Sequence, residues 1–294
     1  MRHGVTIAAP AKVNLHLEVG NRRPDGFHQI TSLFQAVSLA DDLTIRATGS
    51  PRQARVCGNF GFPMEENIIS EAIRLFRAET GVWDGVEVEV EKRIPVAAGL
   101  GGGSSDAAAA LRGLVALFDA HLTEERIRAI ALQLGSDVPF FLQASAALVE
   151  GRGDRITPVA ARTDFALAAV MPGVPVATAD AYRALDARGT SSAARLSGPE
   201  VLRIYEQDPV ASWRFFNSFD VLAEDLSPWI VKAREALLSE GARAARFTGS
   251  GSTVIGLFDD RRSAEACVGR LDGGGFSAVT MLPLALIPAV CYHK

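Results

Sequence analysis

Lysine is scarce in this chain. Of 294 residues, 30 are basic, only positions 12, 92, 232 and 294 are lysine, and the formal net charge is −4. No basic stripe stands out of the kind that tracks a nucleic-acid backbone, so nucleic acid is not an expected partner. Any polyanion must then be held by a local site and not by the overall field. Cysteine is nearly absent as well. Cys57, Cys267 and Cys291 are odd in number and have no Cys-x-x-Cys spacing, which argues against a disulfide framework and a zinc site and fits a reducing cytoplasm. No run approaches the roughly 18 apolar residues of a membrane helix. Val5 to Pro10 is shorter than a signal-peptide core, and Phe165 to Ala179 is broken by Pro172 and Pro175. A soluble, unprocessed, cytoplasmic protein with no membrane partner is expected. Two common phosphate-binding signatures are also missing. There is no Gly-Lys pair for a P-loop, and Ser104 stands where Gly99-x-Gly101-x-x-Gly would need its third glycine. The latter counts against a dinucleotide-dependent oxidoreductase.

What the chain does have is a glycine cluster set between a strand and a helix. Val86, Val88 and Val90 alternate with Glu87, Glu89 and Glu91, the period of a half-buried strand. The stretch Pro95-Val96-Ala97-Ala98-Gly99-Leu100-Gly101-Gly102-Gly103-Ser104-Ser105-Asp106 follows, and Ala107 to Phe118 then reads as a buried helix. The first N–H groups of a helix lack intrahelical partners and sit at the positive end of its dipole. Such a turn cradles phosphate, with Ser104 and Ser105 adding hydroxyl donors. The plainer reading is a flexible loop ending in a helix cap, since Ser and Asp are favoured there.

With 48% hydrophobic and 22% charged residues the composition is globular, and the length suits two domains. Lys12, Asn14, His16 and Glu18 alternate with Val13, Leu15, Leu17 and Val19, which predicts a strand with one polar face. That face is either functional or simply the solvated side of an edge strand. Arg22 to His28 reads as a turn around Pro24-Asp25-Gly26, followed by strands Ile30 to Val37 and Leu43 to Ala47. Asn67 is placed to cap a helix over Ile68 to about Glu79 that Gly81 ends. Thr123 caps another, Glu124 to Leu134. Asp137, in Ser136-Asp137-Val138-Pro139, reads as a cap, as a carboxylate held in a tight turn, or as both. Ala146–Val149 and Ile156–Val159 form an expected hairpin, after which the texture changes. Pro172-Gly173-Val174-Pro175 reads as a rigid loop and 186–199 as a mobile polar segment. Helices near 201–206, 228–240 and 263–271, and strands 254–258 and 278–284, predict an α+β second domain.

Three separated motifs, Pro10-Ala11-Lys12-Val13-Asn14-Leu15, Pro95 to Asp106, and Thr248-Gly249-Ser250-Gly251, together resemble the GHMP superfamily of small-molecule kinases. Arg23-Pro24-Asp25-Gly26-Phe27-His28 and Leu134-Gly135-Ser136-Asp137-Val138-Pro139 narrow the likeness. They point to the branch that phosphorylates the 2-hydroxyl of a methylerythritol carrying a cytidine diphosphate group, in non-mevalonate isoprenoid synthesis.

The resemblance implies a two-domain α/β (α+β) fold, with a nucleotide-binding domain over 1–160 and a ferredoxin-like substrate domain over 161–294. It implies ATP and Mg²⁺ as cofactors, a small-molecule substrate, and a monomer or homodimer. By motif position, Lys12 and Asp137 match the catalytic pair, and Pro95 to Ser105, with Asn67, the ATP site. Asn14, Phe27, His28, Thr178, Tyr182, Gly249 and Gly251 match the substrate side. Phe27 and Tyr182 would stack the base and His28 would read its edge, with Phe27 standing where the family commonly has tyrosine. The resemblance gives no firm metal ligands; Ser105 is a candidate. These residue types suit phosphoryl transfer, which needs alignment and charge neutralisation more than covalent help.

Overall fold

The computed structural model describes residues 3–60, 67–173, 176–189 and 196–293. Its first unit is organised on two long antiparallel strands, β1 (Gly4–Arg22) and β2 (His28–Thr48). The two strands expected within 30–47 are one continuous strand. Its far half pairs with β4 (Gly85–Glu91), to which β3 (Ala54–Gly58) adds in parallel. Its near half pairs with β5 (Ala146–Gly151), the first arm of a hairpin completed by β6 (Arg155–Pro158). Between these strands run α1 (Ile68–Thr80), α2 (Gly102–Leu117), α3 (Glu124–Leu134) and the single turn α4 (Phe140–Gln143). Ile69, Ala72, Ile73 and Phe76 of α1 pack with Leu111 and Leu114 of α2 and with Val5, Ile7, Leu43 and Ile45 of the sheet. The caps are as expected: Asn67 Oδ1 accepts from Ile69 N at 2.9 Å, and Gly81 ends α1 at φ 71°.

The second unit carries β7 (Ala166–Val170), α5 (Thr178–Arg188), α6 (Gly198–Gln207), α7 (Ala223–Leu226), α8 (Pro228–Ser239), β8 (Ala244–Phe247), β9 (Val254–Phe258), α9 (Arg261–Gly273) and β10 (Ala278–Met281). Its antiparallel sheet has the order β10-β7-β9-β8, which is 4-1-3-2 by position in the unit, the ferredoxin-like arrangement. Alternate residues of β7 enter different cores. Ala166, Ala168 and Val170 pack with α8 and α9, while Leu167 and Ala169 meet Val13, Leu15 and Leu33 of the first unit. Both faces are apolar, so β7 shows no alternation to read. A last strand, β11 (Cys291–His293), returns to the first sheet beside β1.

Two further expectations are corrected. β1 lies between β11 and β2 and is no edge strand; its polar residues Lys12, Asn14, His16 and Glu18 are buried. Residues 186–188 belong to α5 and residues 198–199 begin α6, because Leu185 and Val201 are anchored in the core; 190–195 lie outside the described residues. The expected rigid loop 172–175 falls partly outside them too, at 174–175. Among the described residues no helix is long and apolar enough to cross a membrane.

Candidate functional site

A cleft of about 500 Å³ runs between the two units, floored by β1 and the glycine turn. The turn spans Pro95 to Gly101, and α2 starts at Gly102, five residues earlier than the alanine run suggested. The physical reason is that Gly102 to Asp106 form its first turns. Ser105 N already donates to Gly101 O at 3.0 Å, so that amide is spent within the helix. Gly102, Gly103 and Ser104, at the first three helical positions, present N–H groups with no intrahelical partner. A Cβ on Gly103 would meet nothing within 4 Å, so space is open beside that residue, whereas one on Gly102 would lie 2.9 Å from Ile94 Cγ2. Gly99 and Gly101 have φ of 78° and 71°. At Gly99 a Cβ would lie 2.3 Å from Thr248 O, and at Gly101 it would lie 2.9 Å from Lys12 Cγ. These two glycines are therefore required both by conformation and by the close approach of the other motifs. Ser104 lines the cleft, while the Ser105 hydroxyl is buried beneath it without a partner.

Behind the turn stands a group the sequence reading did not assign. Lys92 Nζ donates to Asp41 Oδ2 and, at 2.7 Å, to Asp106 Oδ2. Asp41 Oδ1 accepts from Arg93 N at 2.5 Å and Ile94 N at 2.8 Å, fixing the chain where it enters the turn. Burial pushes the Asp106 carboxyl up to about 7 against the pull of Lys92. Burial alone would lower the Lys92 pKa, but the two carboxylates outweigh it and raise it. Lys92 and Asp106 bracket the glycine stretch in sequence, and the rarity of lysine was the available signal. Asp41, some fifty residues away, offered none.

Lys12 and Asp137 come together, with Nζ 3.3 Å from Oδ2. Lys12 Nζ also donates to Asn14 Oδ1 at 2.8 Å and sits 4.1 Å from the centre of the Phe34 ring. The capping role for Asp137 is not seen. α4 is preceded by Pro139 with no side-chain cap, and the 135–139 turn is closed by Val138 N donating to Gly135 O, which leaves the carboxylate facing Lys12. Asn14 ties the first motif to the third: its Oδ1 also accepts from Gly249 N at 2.9 Å, and its backbone N donates to Thr248 Oγ1 at 3.0 Å. Thr248 Oγ1 in turn donates to Gly99 O at 3.4 Å. Asn14 Nδ2 donates to Ser32 Oγ at 2.9 Å, so this side chain is largely engaged within the protein.

The remaining expected residues divide. Asn67, Thr178, Tyr182 and Gly249 line the cleft, and Asn67 Nδ2 is buried without a partner. Gly251 lies behind the lining, its N–H closing the turn onto Thr248 O at 3.1 Å. His28 stacks on Tyr182 with ring centres 5.0 Å apart, and its Nε2 is 2.7 Å from Asp186 Oδ1. Phe27 is 51% exposed at the rim, where the ring-face neighbour is the Arg152 guanidinium at 5.3 Å. Among the described residues no cluster of three or more His, Cys, Asp or Glu is arranged to hold a metal.

Family models match the chain in two places, GHMP kinases N terminal domain over residues 67–145 and GHMP kinases C terminal over 210–274. Fold and cleft together therefore define a small-molecule kinase of the GHMP class. Within that class, 4-diphosphocytidyl-2-C-methyl-D-erythritol kinase of Treponema pallidum (strain Nichols) is 41% identical over 263 residues, covering 87% of this chain and 90% of the relative. The Pelobacter propionicus enzyme of the same name is 38% identical, covering 93% and 97%. A crystal structure of 4-(cytidine 5'-diphospho)-2C-methyl-D-erythritol kinase superposes with a TM-score of 0.82 at 34% identity, covering 95% of this chain and 98% of that one. Homoserine kinase from Cytophaga hutchinsonii, at 19% identity and TM-score 0.74 with 99% and 98% covered, shares the fold. The chain belongs to the 4-diphosphocytidyl-2-C-methyl-D-erythritol kinase family.

Proposed function

We propose that this protein uses ATP to phosphorylate the 2-hydroxyl of 4-diphosphocytidyl-2-C-methyl-D-erythritol. The observation that carries the site assignment is the Lys12–Asp137 pair, 3.3 Å apart in the cleft that the N-terminus of α2 opens onto. Asp137 accepts the hydroxyl proton as the oxygen attacks the γ-phosphorus, and Lys12 orients the carboxylate and the incoming oxygen. The free amides of Gly102, Gly103 and Ser104 meet phosphate oxygens, where a preorganised dipole costs no rearrangement during transfer. Ser105 contributes no amide, but its partnerless hydroxyl is an oxygen donor suited to magnesium. Magnesium, when bound with ATP, neutralises charge on the phosphates. Asn67, with its orphaned Nδ2, serves the nucleotide, and Pro95 to Gly101 form the wall it lies against.

On the substrate side, His28 and Tyr182, with Phe27 at the rim, take the cytosine, and Thr178 and Gly249 border the methylerythritol. Asn14 acts mainly by holding Lys12 and the 248–251 loop in place. Residues 1–160 form the nucleotide-binding unit and 161–294 the substrate unit, apart from β11, which lies on the first sheet. A coupled ADP-release assay with magnesium ATP tests the reading. Turnover is expected with 4-diphosphocytidyl-2-C-methyl-D-erythritol and not with mevalonate or homoserine; comparable turnover on either of those would overturn it.

A further inference from the structure

Two polyphosphates have to share this cleft, that of ATP and the diphosphate joining cytidine to methylerythritol. The amides and dipole of α2 serve the first. Among the described residues, three basic side chains line the cleft. Lys12 contacts Asp137, and Lys92 is clamped between Asp41 and Asp106. The third is Arg152, whose contact with Asp154 is long, at 3.5 Å, with both side chains substantially in solvent. An ion pair of that kind is weak and exchanges readily for a better anion.

Its position is specific. Arg152 sits in the turn between β5 and β6, where Gly151 and Gly153 take φ of 73° and 102° and Arg152 N donates to Asp154 Oδ1 at 3.1 Å. On one side its guanidinium lies 5.3 Å from the Phe27 ring, at the end assigned to the base. On the other, a Cβ on Gly153 would be 3.5 Å from Ser136 Cβ, next to Asp137 at the end assigned to the alcohol. A diphosphate spanning base and alcohol passes this turn.

We infer that Arg152 is the substrate-diphosphate contact, its guanidinium donating charge-assisted hydrogen bonds to a nucleoside diphosphate ester. This rests on the function proposed above. The test is calorimetric titration of CDP and of cytidine into the wild type, Arg152→Ala, Arg152→Lys and Arg155→Ala, together with KM for substrate and for ATP. Hydrogen bonds to charged groups set the expected size: Arg152→Ala weakens CDP and raises the substrate KM by about 10–100-fold. Cytidine affinity, kcat and the ATP KM stay within about two-fold, since no phosphate of theirs passes this turn. Arg152→Lys keeps part of the CDP affinity. Arg155→Ala, losing the same charge three residues on, binds CDP as the wild type does. CDP affinity unchanged in Arg152→Ala, or an equal loss for cytidine or ATP, overturns the assignment while leaving the proposed function intact. A wild-type protein that binds no CDP overturns both.

Discussion

Lys12 shows how little of a residue's role lies in its own chemistry. Its ammonium is held by Asn14 Oδ1, the Asp137 carboxylate and the face of Phe34, so it has one orientation and one neighbour to act on. Asp137 is the counterpart. The tight Gly135–Pro139 turn was legible from Gly-Ser-Asp-Val-Pro, but the choice between capping α4 and facing Lys12 was not, because a partner 125 residues away leaves no local mark. Asp137→Asn keeps the shape and removes the base. It is expected to lower kcat by about 10²–10⁴ with ATP affinity nearly unchanged, measured by the coupled assay and by nucleotide titration. A variant turning over at close to the wild-type rate rules the role out. Thr248 and Asn14, by contrast, act as joints: Thr248 binds both other motifs, Asn14 binds the 248–249 turn, and neither needs to reach the reacting atoms.

At the scale of elements, β1 is the informative departure. The strict alternation of 12–19 predicts Lys12, Asn14, His16 and Glu18 on one face, yet the register slips between Asn14 and His16. A one-residue slip exchanges the two faces. Beyond it Leu17 lines the cleft, and His16 turns to Phe215 and Phe216. A bulge has no composition of its own, so periodicity passes over it. The glycine turn is the reverse case, readable because close approach demands glycine. Gly99→Ala places a Cβ against Thr248 O in a left-handed backbone, and the two loops must part. It is expected to destabilise by more than about 1–2 kcal/mol in urea unfolding and to raise the ATP KM. Gly269→Ala, inside α9 with open space around it, is expected to stabilise by up to about 1 kcal/mol. Equal effects at the two sites would show that the loop contact does not constrain Gly99.

Over the whole molecule, the two sheets share one buried layer, in which Val13, Leu15 and Leu33 meet Leu167, Ala169 and Ile255. His16 lies at this junction, fully buried, with Phe216 N donating to its Nδ1 at 3.4 Å. Burial, reinforced by the nearby Arg246 charge, lowers its pKa from 6.5 to about 3. Between those values the unfolded chain binds the proton and the folded one does not, so stability rises with pH across the window. It is complete above about pH 6.5 and declines towards about pH 3. His16→Phe removes the titrating group. The wild-type-minus-variant difference in unfolding free energy is expected to shrink as pH falls from about 6.5 to about 4, followed by urea unfolding at each pH. A difference independent of pH would mean that His16 stays reachable by protons in the folded state.

The sequence by itself determined the local events, because their causes are local. Capping residues, positive-φ glycines and helical stripes follow from the conformational limits of single residues, and so α1, α3 and the glycine turn were readable. The motifs also carried the family, and with it the residues to inspect. Tertiary structure alone decided what depended on distant partners: which face of β1 meets the cleft, that Asp41 and Asp106 clamp Lys92, and that Arg152 lies in the cleft wall against Phe27. Those outcomes are set by register, burial and Coulomb interaction between segments far apart in the chain, and only packing brings their terms together.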